Sequence, residues 1–190
     1  MANFSVIWAV SETLRVVLKN AIDPKNLGVT VAFLDVEKPP TDPTLTVFLF
    51  EVGEDPSARN HTRIRETEPP NLRIRKPPVA LLLRYLLTAW GGNVETQQTI
   101  LGLTIQALYD KAILSGSDLQ KVLAGTDESL KVTMSPLSLE EHTRVWHAVQ
   151  KPYRLSVAYE VRVVNLDSEI TTDARFVTRR TLDSESLEKT

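Results

Sequence analysis

The chain has 190 residues, a net charge of −2 and a pI near 6.0, and it contains no cysteine. This length predicts one domain, or one domain with an arm, and the charge argues against a dedicated nucleic-acid-binding protein, which normally has a strongly basic surface. The lack of cysteine excludes disulfides, thiol catalysis and thiolate metal sites. The longest apolar run, at residues 79–87, is too short to cross a bilayer, so we expect no membrane partner. The first ten residues lack a basic leader, so we expect synthesis in the cytoplasm.

The first 52 residues predict a helix followed by two strands. Apolar residues recur at helical spacing from Phe4 to Leu18, and Pro24 marks the end of this helix. Residues 28–34 alternate in polarity and form a candidate strand. Residues 45–52 predict a second strand because they are rich in β-branched and aromatic side chains.

Residues 54–78, here called the arginine segment, form the longest stretch without apolar periodicity. A loop of this length in a compact domain is uncommon and is usually functional or disordered. Its pieces 61–65 and 72–75 are candidates for a small hairpin. A phosphate-binding patch is one interpretation, but acidic residues dilute its charge and it has no aromatic residue for base stacking, which favours protein docking. The candidate protein-interface residues of this segment are Arg59, Asn60, Arg63, Arg65, Arg73 and Arg75.

Residues 79–88 predict a strand at the centre of the sheet. They are apolar on both faces of the pleat apart from Arg84 and Thr88, and a strand of this kind is covered on both sides. We therefore expect helices above and below it. Gly91 and Gly92 predict the turn that follows.

Two helices are predicted after this turn. Asn93 is a candidate N-cap for a helix over 95–112. Ser117 and Gln120 have the spacing of a capping box, and Gly125 is a candidate stop for the second helix. The inner face of the first helix is predicted to contain Leu101, Ile105, Leu108 and Ala112.

Residues 131–164 predict a short strand, a capped helix and a long strand. The short strand is at 131–135, and Ser138 and Glu141 then form a second candidate capping box. Pro152 ends the helix, and from Leu155 the side chains alternate as in a strand with one buried face. The inner face of the helix is predicted to contain Leu139, His142, Val145, Trp146 and Val149.

The last 25 residues, 166–190, are polar and charged and contain a single apolar island. Such a tail cannot bury enough apolar surface to fold alone. It is either a frayed terminus or an arm that becomes ordered by adding a strand to a neighbour. The candidate interface residues of the arm are Arg175, Phe176, Val177, Arg179 and Arg180.

No recognisable motif for catalysis or metal binding is present. His142 and His147 are five residues apart on one helix, so they lie on different faces. The sequence has no HExxH, Walker or GxSxG motif, and a glycosidase-type carboxylate pair stays open as an alternative. We expect no cofactor, no metal and no enzymatic activity.

Two longer motifs carry a family resemblance. They are PPVALLLRYLLTAWG, at 77–91, and SPLSLEEHTRVWHAVQKPYRLSVAYEVRVV, at 135–164. Together with Leu101, Gly102 and Leu108 they resemble the cap family of extracellular contractile injection systems. These are phage-tail-like particles that include the antifeeding prophage and related virulence cassettes. The resemblance covers about residues 1–165, whereas the tail is not matched by any motif.

The resemblance implies an α/β domain with a twisted mixed β-sheet flanked by α-helices, similar to phage tail terminators, with an extended C-terminal arm. It implies a homo-hexameric ring that ends the inner tube and anchors the last layer of the sheath. The partners would be the tube and sheath proteins, without nucleic acid, and the location a phage-tail-like particle. The candidate residues of the arginine segment would contact the tube or a neighbouring cap subunit, and those of the arm would contact the sheath. The alternatives are a tail terminator or head–tail connector of a headed contractile-tail phage, and a small enzyme or ligand-binding α/β protein.

Overall fold

The computed structural model of the chain describes residues 4–58, 64–68, 71–75, 78–166 and 171–174. The chain forms two compact units, each assembled from two separate stretches of sequence. The main unit comprises Met1–Asn60 and Val79–Asp167, and the small unit comprises His61–Pro78 and Ser168–Thr190. The small unit therefore combines most of the arginine segment with most of the predicted arm.

The described residues form three helices and nine strands. The helices are α1 (Val6–Ile22), α2 (Val94–Asp110) and α3 (Leu139–Ala148). The strands are β1 (Thr30–Phe33), β2 (Thr44–Glu54), β3 (Ile64–Glu68), β4 (Asn71–Arg75), β5 (Val79–Trp90), β6 (Ile113–Ser115), β7 (Ser129–Met134), β8 (Ser156–Leu166) and β9 (Thr171–Ala174). Strands β3, β4 and β9 belong to the small unit, and all other elements belong to the main unit.

The main unit contains a six-stranded mixed sheet. Its strand order is β1-β2-β5-β8-β7-β6, with β1 parallel to β2 and every other neighbouring pair antiparallel. Strands β5 and β8 are the two central strands, and Tyr85 of β5 lies opposite both Leu49 of β2 and Tyr159 of β8. The predicted central position of residues 79–88 is therefore confirmed, as is the expected mixed α/β fold.

Helices α1 and α2 cover one face of this sheet. They pack on each other, and their apolar faces join the odd-numbered residues of β5, such as Leu83 and Leu87, in the larger core cluster. Tyr85 is also on this face, and its hydroxyl lies 2.9 Å from the Ser11 hydroxyl of α1. Burial raises the pKa of Tyr85, so its phenol stays neutral and hydrogen-bonded inside the core.

Helix α3 covers the opposite face. Leu86 and Trp90 of β5 pack there with Ala158 of β8 and Trp146 of α3 in a second core cluster. Because successive residues of a strand point to opposite faces, the apolar residues on the two faces of β5 supply both clusters at once. The prediction that helices lie above and below this strand is confirmed.

Two of the three predicted N-caps are confirmed. The Asn93 side chain accepts a hydrogen bond from the Thr96 amide at 2.8 Å, so α2 begins at Val94. Both bonds of the Ser138 box are present, at 3.2 Å and 2.7 Å. The bond from the Ser138 amide holds the pKa of Glu141 below its ordinary value.

The predicted capping box at Ser117 and Gln120 is wrong. Residues 116–118 and 121–123 form short 3-10 turns without a side-chain cap. In the predicted box, the Gln120 amide would donate to the Ser117 hydroxyl. It donates instead to the Thr13 hydroxyl of α1, at 3.0 Å. Lys121 has a φ of 58°, which interrupts any α-helix at that point.

The predicted inner faces of two helices also need correction. Helix α2 ends at Asp110, so Ala112 lies beyond it and is exposed, and its buried residues are Ile100, Leu101, Thr104 and Leu108. In α3, His142 and Trp146 are buried as predicted, but the Leu139 residue is 69% exposed. Leu139 is the first residue of its helix and points away from the sheet-covering side.

Candidate interaction surfaces

The small unit contains a three-stranded antiparallel sheet. Strand β4 is its middle strand, with β3 on one side and β9 on the other. The predicted hairpin within the arginine segment is therefore confirmed, although its first strand begins at Ile64 instead of residue 61. The third strand, Thr171–Ala174, comes from the tail and pairs within the same chain, an arrangement that sequence reasoning did not anticipate.

Three of the predicted interface arginines lie on this sheet. Arg65 is on β3, and Arg73 and Arg75 are on β4. In the backbone register Arg73 lies opposite Glu66 on one side and Asp173 on the other. Arg59, Asn60 and Arg63 lie outside the described residues, and the interface role of all six stays a prediction.

The predicted arm residues follow directly after β9. Arg175, Phe176, Val177, Arg179 and Arg180 all lie outside the described residues. Their contact with a sheath therefore stays a prediction.

A charged cluster in the main unit lies where the chain leaves β2. The Asp55 carboxylate accepts hydrogen bonds from the amide and hydroxyl of Ser57, at 3.0 Å and 2.7 Å, and lies 3.6 Å from the Arg162 guanidinium of β8. These contacts, led by the Ser57 hydroxyl, lower the pKa of Asp55. Arg162 also binds Glu160 at 2.8 Å, and the Asp55 amide donates to Ala80 at 2.8 Å. The cluster fixes the start of the arginine segment beside β5, the strand that follows this segment in the chain.

Sequence reasoning missed this cluster, although a local signal exists. The local sequence at residues 55–57 is Asp-Pro-Ser. In such turns the aspartate side chain typically accepts a hydrogen bond from the backbone amide two residues later. The long-range partner Arg162 carries no comparable signal, because only the strand register brings it close.

The two tryptophans of the resembling motifs lie in the core. The Trp90 indole N–H donates to the Thr46 hydroxyl at 2.8 Å, and that of Trp146 donates to the Ser156 hydroxyl at 3.2 Å. Their rings meet edge to face at 6.0 Å, and the Arg154 guanidinium lies 4.3 Å from the Trp90 ring. The motifs that carry the resemblance therefore build the contact between α3 and the sheet.

The histidines do not form a metal centre in the described part of the chain, where no group of three or more potential ligands is present. His142 is buried against Tyr153, with ring centroids 6.5 Å apart, and burial lowers its pKa. His147 is exposed on the other side of α3. Among the described residues no helix is long and apolar enough to cross a membrane.

The described residues of the main unit include several exposed apolar surfaces, two of which lie near outer strands of the sheet. The first, here called the aromatic knob, consists of the exposed Phe4 and Trp8 and the half-buried Phe33, with the Trp8 and Phe33 rings 4.9 Å apart. The second, here called the apolar groove, has a volume of about 390 Å³ between the end of α2 and strand β7. The described residues that line it are Ile105, Leu108, Tyr109, Ala112, Ile113, Lys131, Val132, Thr133, Met134 and Tyr159.

Comparison with known proteins finds, across most of the chain, the family that the two long sequence motifs resemble. Residues 9–180 match the family model described as the Pvc16 N-terminal domain. No curated protein matches the sequence.

Two similar solved structures are components of contractile particles. One is the sheath/tube terminator of PVC, an extracellular contractile injection system, in the extended state; it is 20% identical over 100% of this chain, with a TM-score of 0.64. The other is the tube-terminating cap of the anti-feeding prophage, 19% identical over 97% of this chain, with a TM-score of 0.62. The chain spans 65% and 62% of their lengths. At these identities the likeness establishes the shared fold.

Proposed function

Because the chain belongs to the Pvc16 N-terminal domain family, we propose that it is the structural cap that terminates the tube of a contractile phage-tail-like injection particle. The observation that carries this proposal is the match of residues 9–180 to that family. The fold supports it, since the full length of the chain superposes on a sheath/tube terminator. The role is structural and not enzymatic, and the chain would be made in the cytoplasm and become part of a phage-tail-like particle.

The cap would act as a ring of six copies. A growing tube presents an unsatisfied end, so a cap must match that end on one face and offer no equivalent surface on the other. Contacts between unlike surfaces close into a ring when the rotation between copies allows it, and a closed ring stops further addition. The ring would also anchor the last layer of the sheath.

Electron microscopy of particles with this protein labelled tests the proposal. We expect label at the tip distal to the baseplate, with six-fold symmetry in averaged images. Label along the whole tube, or absent from both tips, would refute a terminating role. Label at the neck of a headed phage would support the alternative of a tail terminator or head–tail connector.

We propose that the arginine segment contacts the tube or a neighbouring cap subunit. Reversing the charge of Arg63 and Arg65 to glutamate is expected to weaken that contact at least tenfold, since like charges placed together at an interface cost several kcal/mol. The measurement is the fraction of capped particles and the distribution of tube lengths. Reversing Lys19 and Arg144, which are exposed on α1 and α3, changes the net charge equally and is the control. Normal caps and lengths in the first variant would exclude the contact.

We propose that the tail beyond β9 holds the sheath by adding a strand to it, with Phe176 and Val177 filling side-chain pockets. Six such arms would act together, so a modest contact per arm becomes strong. A chain ending at Asp167 keeps β8 complete, and we expect its main unit to fold while extended sheath is lost. Particles are scored by negative-stain microscopy.

This truncation also removes β9, so a second variant separates the two effects. Phe176→Asp with Val177→Asp leaves β9 in place and alters only the apolar island. Sheath loss in both variants assigns the contact to the island. Sheath retained on truncated rings would show that the arm has no such role.

A further inference from the structure

We infer that neighbouring copies of this chain join through two unlike surfaces at opposite edges of the main sheet, with the aromatic knob of one copy seated in the apolar groove of the next. This inference rests on the proposed ring and identifies the surfaces that would close it.

The aromatic knob lies at the β1 edge. Phe33 is the last residue of β1, which is an outer strand of the sheet. Trp8 of α1 packs on Phe33 and is 52% exposed, and Phe4 is 81% exposed. Large aromatic side chains are enriched at the centres of protein interfaces, where they contribute much of the binding energy.

The apolar groove lies at the opposite edge. Tyr109 is 84% exposed, Ile113 is 65% exposed, and Met134 of β7 is 40% exposed beside them. Strand β6 pairs with β7 only as far as Lys131, and the Val132 amide then donates to the Ala112 carbonyl at 2.8 Å. Beyond Val132 the described residues contain no strand on the outer edge of β7. A concave apolar surface beside a partly covered strand edge is a site that another chain can fill.

The positions of these surfaces favour a second copy as the occupant. Strands β1 and β6 are the first and last strands of the sheet, with four strands between them. A two-fold dimer would use one patch on both copies, whereas a ring requires two different patches on each copy. A convex aromatic surface at one edge and a concave apolar surface at the other satisfy that requirement.

Charge also matches across the inferred contact. The chain directly after β1 carries two carboxylates, Asp35 and Glu37, and one lysine, Lys38. Neither carboxylate forms an ion pair within the described residues. Lys131 is the charged residue among those that line the groove, and it has no such pair there either. Opposite charges beside the two apolar surfaces would orient one copy on the next.

Cross-linking between engineered cysteines tests the inference, and the natural chain provides a cysteine-free background. The full chain carrying Phe4→Cys and Tyr109→Cys is assembled into particles and treated with a short bis-maleimide. We expect a ladder of covalent species up to the hexamer on a denaturing gel. Each single variant alone should give no covalent dimer, and a mixture of the two single variants should give one. Both residues are exposed, so neither change threatens folding.

A control places the second cysteine elsewhere. Leu139 is 69% exposed on α3, on the opposite face of the sheet, and Phe4→Cys with Leu139→Cys should give no ladder. A ring visible by microscopy without a Phe4–Tyr109 ladder would overturn this inference and leave the proposed cap intact. Covalent dimers from either single variant would overturn it in favour of a two-fold contact. The absence of any ring would refute both.

Discussion

Replacing Trp146 with alanine is expected to lower the free energy of unfolding of the main unit by about 3–5 kcal/mol, the usual cost of removing a large buried aromatic side chain. The side chain fills the space between α3 and the sheet, packs edge to face on Trp90 and donates a hydrogen bond to Ser156. The Ser156 hydroxyl keeps two other partners, Thr88 and Arg154, so the loss comes mainly from the cavity. For a chain of this size the midpoint of thermal unfolding should fall by roughly 6–20 °C.

The same helix supplies the control for this prediction. Leu139→Ala removes an apolar side chain that is 69% exposed, and we expect a change within about 0.5 kcal/mol. If Trp146→Ala does not fold, Trp146→Phe leaves a smaller cavity and should retain a measurable transition by circular dichroism. Equal effects of Trp146→Ala and Leu139→Ala would contradict the packing described for α3.

Replacing Gly91 with alanine is expected to lower the free energy of unfolding by about 2–5 kcal/mol. Gly91 has a φ of +66°, a conformation that costs an alanine about 1–2 kcal/mol. An added Cβ would also overlap the backbone carbonyl of Asp42 and lie 2.6 Å from the nitrogen of Pro43. Relieving that overlap requires the connector before β2 to move, and overpacking of this kind typically costs about 1–3 kcal/mol more.

Gly28→Ala separates the two contributions. Gly28 has a φ of +64°, but a Cβ there would have no atom within 4 Å. We therefore expect Gly28→Ala to lower the free energy of unfolding only by the conformational cost of about 1–2 kcal/mol. The comparison is made from urea unfolding midpoints at constant m-value. Equal losses at Gly28 and Gly91 would show that the close approach to Asp42 is not maintained.

Local signals predicted the parts of the fold that local interactions determine. The caps at Asn93 and Ser138 depend on hydrogen bonds spanning three residues, and both are present. The central position of β5 followed from its apolar residues on both faces, because a strand of that composition is unstable with either face in water. Helix α1 followed from apolar residues at helical spacing.

The features that the sequence predicted wrongly, or did not predict, depend on contacts between residues far apart in the chain. The Ser117 box failed because Thr13, more than one hundred residues away, accepts the hydrogen bond of the Gln120 amide. Pairing of the tail with β4 and the Asp55–Arg162 contact depend on strand register, which no local pattern reveals. The predicted interface residues could be chosen for charge and composition, and their role in an interface stays a prediction.

Strand register in the main sheet has a consequence for engineering this protein. Glu54 at the end of β2 lies opposite Leu81, and Val79 at the start of β5 lies opposite Leu166 at the end of β8. Adjacent strands are about 4.8 Å apart and residues rise about 3.4 Å along a strand, so the described strand residues Glu54, Val79 and Leu166 lie within roughly 12 Å of one another at one end of the main sheet. A chimaera that exchanges 61–78 together with 168–190 between two relatives therefore needs three junctions, each close along the chain to one of these strand ends. Such a transplant would leave the tryptophan packing beneath α3 untouched.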